Sequence, residues 1–122
     1  ATLAPATHRR ALLASAQAFI DQRLADPGLS PSVVAAAQHV SLRYLYKLFE
    51  TQHTSVAGWI RERRLERCRQ DLVDPTMGDR SVSTIAARWG LTDPAHFSRA
   101  FRATYGLPPT EYRRTANTAS SR

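Results

Sequence analysis

Cysteine is nearly absent: Cys68 stands alone among 122 residues. One thiol closes no intrachain disulfide and builds no cysteine-rich zinc site, which fits a reducing, cytoplasmic setting. It falls on an apolar helical stripe, so a core thiol is expected there. No run is long and apolar enough to span a membrane. Ala1 to Arg10 lack the apolar centre of a signal peptide. His8, His39, His53 and His96 are scattered without metal-ligand spacing, and no glycine-rich phosphate loop is found. Neither a nucleophile with a base beside it nor a carboxylate pair placed in an obvious cleft can be picked out. The expectation is a non-enzyme with no cofactor and no metal.

Lysine is the other scarce residue. Seventeen Lys and Arg stand against ten Asp and Glu, for a formal charge of +7 and a pI near 10.7. Of the seventeen only Lys47 is lysine, which leaves sixteen arginines. The planar guanidinium fork matches phosphate and guanine in two-point contacts. A merely basic surface, from a genome that favours arginine codons, is the plainer explanation of the charge taken by itself. At 43% apolar residues the chain can build a modest core, as one domain or two small subdomains.

Helical periodicity dominates and strand signals are hard to find. Leu12, Leu13, Ala16, Phe19, Ile20 and Leu24 recur at three- and four-residue steps, and Asp26-Pro27-Gly28 ends that run. Ser30-Pro31 offers a cap and a first-turn proline for a short helix through Gln38. After a turn at His39-Val40, Ser41 caps a helix whose buried face is Leu42, Leu45, Leu48 and Phe49. A long helix from about Ser55 to Val73 spans roughly 28 Å at ~1.5 Å per residue. Asp74 to Asp79 breaks it, and Ser81 opens a short helix to Trp89. Asp93-Pro94 then starts a helix carrying Phe97 and Phe101, and a last short helix is expected at Thr110-Glu111-Tyr112-Arg113. The expected fold is all-α, with about seven helices: two helix-turn-helix subdomains joined by a long central helix. The boundaries are 8–54 and 74–114 for the subdomains, 55–73 for the linker helix and 115–122 for a disordered tail.

The helix pair occurs twice. Val34-Ala35, Val40-Ser41, Leu45, Phe49 and Ile60-Arg61 repeat as Ile85-Ala86, Leu91-Thr92, Phe97, Phe101 and Tyr112-Arg113. The offset is 51 residues before the turn and 52 after it, so the second copy carries one inserted residue between its helices. Two helices with a short turn are a common way to present one of them to a DNA major groove.

The run Ile85-Ala86, Gly90-Leu91, His96-Phe97-Ser98-Arg99-Ala100-Phe101-Arg102, Gly106-Leu107-Pro108-Pro109 and Tyr112-Arg113 resembles the signature of AraC/XylS-type transcription regulators. The likeness covers about Leu12 to Arg113. It implies the DNA-binding unit of a bacterial regulator, two helix-turn-helix subdomains on one long helix, working in the cytoplasm at the nucleoid. It also implies a parent chain with a separate effector or dimerisation domain, of which this is the C-terminal part; the start at Ala1 rather than Met agrees. Two departures stand out. His39 occupies the first turn where the family often has glycine, a position that tends to need positive φ. Pro94-Ala95 opens the second recognition helix with no side-chain donor, so contacts there are sparser or apolar against thymine methyls.

Candidate base readers follow from helical spacing. Arg43, Tyr46 and Lys47 share a stripe with Glu50 on the first recognition helix; Ala95, Ser98 and Arg99 share one with Arg102 on the second. Phosphate candidates are Ser41, Arg61, Arg64, His96, Arg102 and Arg113. Both stripes also read as solvated polar faces, and His96 as packing beside Phe97. The arginines of the long helix read either as a phosphate rail or as ion pairs with Glu62 and Glu66. Arg61 and Arg113 hold equivalent places, for phosphate contact or for bracing. Trp59 and Trp89 read as core. With no heptad seam at either end, a monomer on double-stranded DNA is expected. The alternatives are a basic helical protein-interaction module and an RNA-binding helical domain.

Overall fold

Caps and turns punctuate the chain in the computed structural model, which describes residues 5–120. Among these residues there are seven α-helices and no strand: α1 (Ala6–Gln22), α2 (Pro31–Ala37), α3 (Leu42–Phe49), α4 (Val56–Val73), α5 (Val82–Arg88), α6 (Pro94–Tyr105) and α7 (Pro109–Ser120). Short 3₁₀ turns at Glu50–Gln52 and Pro75–Met77 precede and follow α4. Two compact units divide between Arg63 and Arg64, inside α4. The last two residues of the expected tail lie outside the described residues. Residues 115 to 120 of that stretch continue α7 as helix, well beyond the short helix expected at Thr110–Arg113. No Gly or Pro interrupts them, and the Thr118 hydroxyl donates back to the Arg114 carbonyl at 2.9 Å.

In the first unit, the Ser30 hydroxyl accepts the Val33 N–H, and Pro31 takes the first helical position of α2. The helix stops because His39 turns left-handed at φ +58°. Its N–H then reaches the Ala36 carbonyl and the Val40 N–H reaches back to Ala35, both at 3.1 Å. That pair of bonds satisfies carbonyls the helix end would leave open. Ser41 next accepts the Tyr44 N–H at 3.0 Å and starts α3. The inward faces supply Ile20, Leu24, Val34, Leu45 and Phe49, all nearly fully buried. Trp59 meets Phe49 edge-on at 6.0 Å. Arg63 grips Asp21 of α1 with two bonds of 2.9 and 3.2 Å.

The second unit repeats these devices. Gly90 takes φ +80°, with its N–H on the Ala87 carbonyl and the Leu91 N–H on Ala86, each at 3.0 Å. Asp93 then accepts the His96 N–H at 3.2 Å and Pro94 opens α6. His39 and Gly90 are 51 apart, but the caps Ser41 and Asp93 are 52 apart. The inserted residue is therefore Thr92, placed between the turn and the cap.

Leu65, Cys68, Leu72, Met77, Ile85, Phe97 and Phe101 form the core of this unit. Burial pushes the Cys68 thiol up to about 12, so it stays protonated and inert. Beside this core the Glu66 carboxylate accepts from Arg69 at 2.7 and 2.9 Å and from the Tyr105 hydroxyl at 2.9 Å.

Two expected results follow from these local structures. A non-glycine residue in the left-handed region costs about 1–2 kcal/mol, partly offset by the greater freedom glycine has when unfolded. His39→Gly should therefore raise stability by up to about 1 kcal/mol, readable as a higher urea midpoint with unchanged slope; a lower midpoint would mean that the imidazole itself stabilises the turn. The second concerns Glu66, whose hydrogen bonds from Arg69 and then Tyr105 hold its carboxyl down to about 2. A depressed folded value means the stabilisation is present above the ordinary carboxylate range and is lost as pH falls from about 4.5 towards 2. With the side chain 31% exposed, solvent screening reduces the contribution to about 1–2 kcal/mol. Glu66→Gln should lower neutral-pH stability by that amount and flatten the acid limb. An acid limb identical to wild type would place the effect elsewhere.

Candidate nucleic-acid interface

A helix that reads bases needs one face anchored and the opposite face exposed. In α3 the anchor is Leu45, Leu48 and Phe49, all buried. Arg43, Tyr46, Lys47 and Glu50 are exposed on the other side, Tyr46 at 48%. Arg43, Tyr46, Lys47 and Glu50 line one shallow surface together with Leu42. The fold thus assembles the three predicted readers of the first motif on one stripe.

In α6 the anchor is Phe97 and Phe101, and Ala95, Ser98, Arg99 and Arg102 are exposed. With Thr92 recognised as the extra residue, these four correspond to Arg43, Tyr46, Lys47 and Glu50 at a constant offset of 52. The second stripe replaces an arginine and a tyrosine by alanine and serine, and a glutamate by arginine. Ser98 also lines a groove of about 240 Å³ together with Ala87, Leu91, Thr92 and Pro94. Its apolar walls suit contact with methyl groups better than polar readout.

The expected phosphate residues divide into two groups. Ser41, Arg61, His96 and Arg102 are exposed. Arg64 is half-buried, and a Cβ placed on Gly90 would come within 3.0 to 3.3 Å of its guanidinium. Arg64 therefore packs flat against the second turn. Arg113 is used for bracing: its guanidinium donates to the carbonyls of Met77 and Arg80, both at 2.6 Å, and ties α7 to the loop before α5. The equivalent Arg61 is exposed.

Most of the arginines on α4 are also engaged. Arg63 pairs with Asp21 and Arg69 with Glu66. Arg67 sits 5.8 Å from the Trp89 ring centre. Two of the five arginines on this helix are thus held in ion pairs, one of them with Glu66 as expected.

Two residues with structural roles were not singled out from the sequence. The Trp89 indole donates to Asp71 at 2.8 Å, and Arg88 stacks over the ring at 5.3 Å while pairing with the same carboxylate. Asp71 thus anchors the residue that precedes the second turn. His53, at φ +58°, closes the 3₁₀ turn before α4. A histidine next to a serine-threonine cluster carried no signal strong enough to mark it.

Two small helical units, each with a capped helix showing a buried apolar face and an exposed polar stripe, define a protein of the helix-turn-helix class. A family model described as a helix-turn-helix domain matches residues 34–115. The transcriptional activator NphR of Rhodococcus sp. is 39% identical over 114 residues, covering 93% of this chain and 33% of that protein. The transcriptional activator RhrA of Rhizobium meliloti is 32% identical over 107 residues, covering 88% and 34%. A transcriptional regulator from Chromobacterium violaceum, described as an AraC-type DNA-binding domain-containing protein, superposes with a TM-score of 0.80 at 26% identity. It covers 90% of this chain and 96% of that structure. The chain belongs to the AraC/XylS-type helix-turn-helix family. It spans about a third of the length of these curated relatives. Among the described residues, no helix is long and apolar enough to cross a membrane.

Proposed function

We propose that this chain binds double-stranded DNA in a sequence-specific manner and is the DNA-binding part of a transcription regulator. The observation that carries the reading is the presence, one in each unit, of two capped helices, α3 and α6, each held by a buried apolar face with a cationic stripe on its open side. Each helix enters a major groove, and the two take successive grooves. Arg43, Tyr46, Lys47 and Arg99 read base edges, while Ala95 and Ser98 meet thymine methyls. Ser41, Arg61, Arg64, His96 and Arg102 contribute phosphate contacts, with their salt dependence. Arg113 acts by holding its loop.

The two motifs differ at three of four stripe positions in charge or size, which supports a monomer on an asymmetric site. That the chain spans about a third of NphR and RhrA, both bacterial transcriptional activators, supports a parent chain with a further effector or dimerisation domain, acting in the bacterial cytoplasm at the nucleoid.

Fluorescence anisotropy against matched duplex DNA, single-stranded DNA and RNA, at two salt concentrations, tests the reading. Tightest binding to duplex, with a sequence preference that survives higher salt, is expected. Equal or tighter binding to RNA would favour an RNA-binding helical domain. No nucleic-acid binding would favour a module for an acidic protein.

A further inference from the structure

A second basic surface in the first unit lies beside α3 and is not accounted for by the reading stripe. Ala6, Arg9, Arg10 and Leu13 are spaced to share one face of α1, and Tyr44, Lys47, Leu48 and Thr51 follow the same spacing on and just beyond α3. These faces line a groove of about 580 Å³. Its walls include Leu13 and Leu48, while Arg9, Arg10 and Lys47 bring three cations against the one carboxylate of Glu50. Lys47 and Glu50 also line the reading surface of α3, so the groove continues directly from it.

We propose that this groove takes the sugar-phosphate backbone of the strand flanking the major groove that α3 enters, with Arg9 and Arg10 as its phosphate contacts. The inference rests on the DNA-binding reading above. An α-helix with its side chains is about 10–12 Å across, and the major groove is about 12 Å wide. A helix seated there leaves little room, so the bordering phosphates must run along whatever flanks it. On the α1 side of α3, that flank is this cationic groove. Contacts of this kind fix register and add affinity without reading sequence. The same charge balance would also suit an acidic peptide, but continuity with the reading face favours DNA.

The double variant Arg9→Gln/Arg10→Gln keeps long, helix-favouring side chains at two exposed positions. Its affinity should be measured on a selected duplex and on a shuffled one across a salt series. Each lost phosphate contact lowers the slope of log K against log salt by about 0.9, so a reduction of about 1–2 is expected. The loss should be equal on both duplexes, and Arg9→Lys/Arg10→Lys should restore the slope. An unchanged slope with intact wild-type binding would overturn the clamp while leaving the reading face in place; acidic-peptide binding would then be the occupant to examine. A loss confined to the selected duplex would overturn it by making these residues base readers. A wild-type chain that binds no duplex would remove the DNA reading and the clamp together.

Discussion

Replacing Phe101 with alanine is expected to cost about 3–5 kcal/mol of stability, the range for deleting a buried aromatic ring. Phe101 is 0% exposed and is the hub of an aromatic cluster. Its ring centre lies 5.8 Å from Phe97, 4.7 Å from Tyr105 and 5.4 Å from Tyr112. The first two partners lie on α6 with it, and Tyr112 on α7, so one ring fastens the recognition helix to its support. The alanine variant leaves a cavity that Tyr105 and Tyr112, held by hydrogen bonds with Glu66 and Arg69, cannot easily close. Phe101→Leu fills most of the space and should cost under about 1.5 kcal/mol if the site repacks. Chemical denaturation followed by near-ultraviolet circular dichroism reads both. An alanine variant within about 1 kcal/mol of wild type would mean that the cluster is not what holds this unit together.

The second large effect concerns specificity. Arg43→Ala and Lys47→Ala should each weaken binding to the selected duplex by about 1–3 kcal/mol, roughly 5- to 150-fold, and relax preference at one or two base pairs. Both side chains are exposed on the same stripe of α3, so the fold should be undisturbed and melting temperatures unchanged. Ser98→Ala in the second motif should cost less, because that stripe is poor in polar groups to begin with. The check is a titration of each variant against every single-base change in the half-site. If Arg43→Ala and Lys47→Ala lose affinity equally on every sequence, these residues contact phosphate, and the assignment of readers fails.

Much of this fold could be read from local chemistry. Ser30-Pro31, Ser41, Ser81 and Asp93-Pro94 each cap the helix they were expected to cap, because a short oxygen-bearing side chain satisfies a neighbouring backbone N–H within three residues. His39 and Gly90 take the positive φ that the shared turn demands, glycine because it has no Cβ and histidine as one of the residues that tolerate that region. The stripes on α3 and α6 followed from helical spacing and buried leucine or phenylalanine opposite them.

What could not be read depends on the tertiary fold. Arg113 bonds to carbonyls 33 and 36 residues away, and Tyr105 bonds to Glu66 39 residues away; no window of the sequence contains both partners. The insertion was visible as a change of offset, but its assignment to Thr92 needed the backbone positions of both caps. The tail was expected to fray because its residues are small and polar. Helix α7 instead runs through it to Ser120, since nothing in the stretch terminates a helix already begun at Pro109.

Selection of binding sites from a pool of random duplexes tests the central claim most directly. Two different blocks in fixed order are expected, with centres about 10–10.5 base pairs apart. The first block should be the more sharply defined, and sedimentation should find one chain per duplex. A palindrome bound by two chains, or a single block with no second region of preference, would contradict the account.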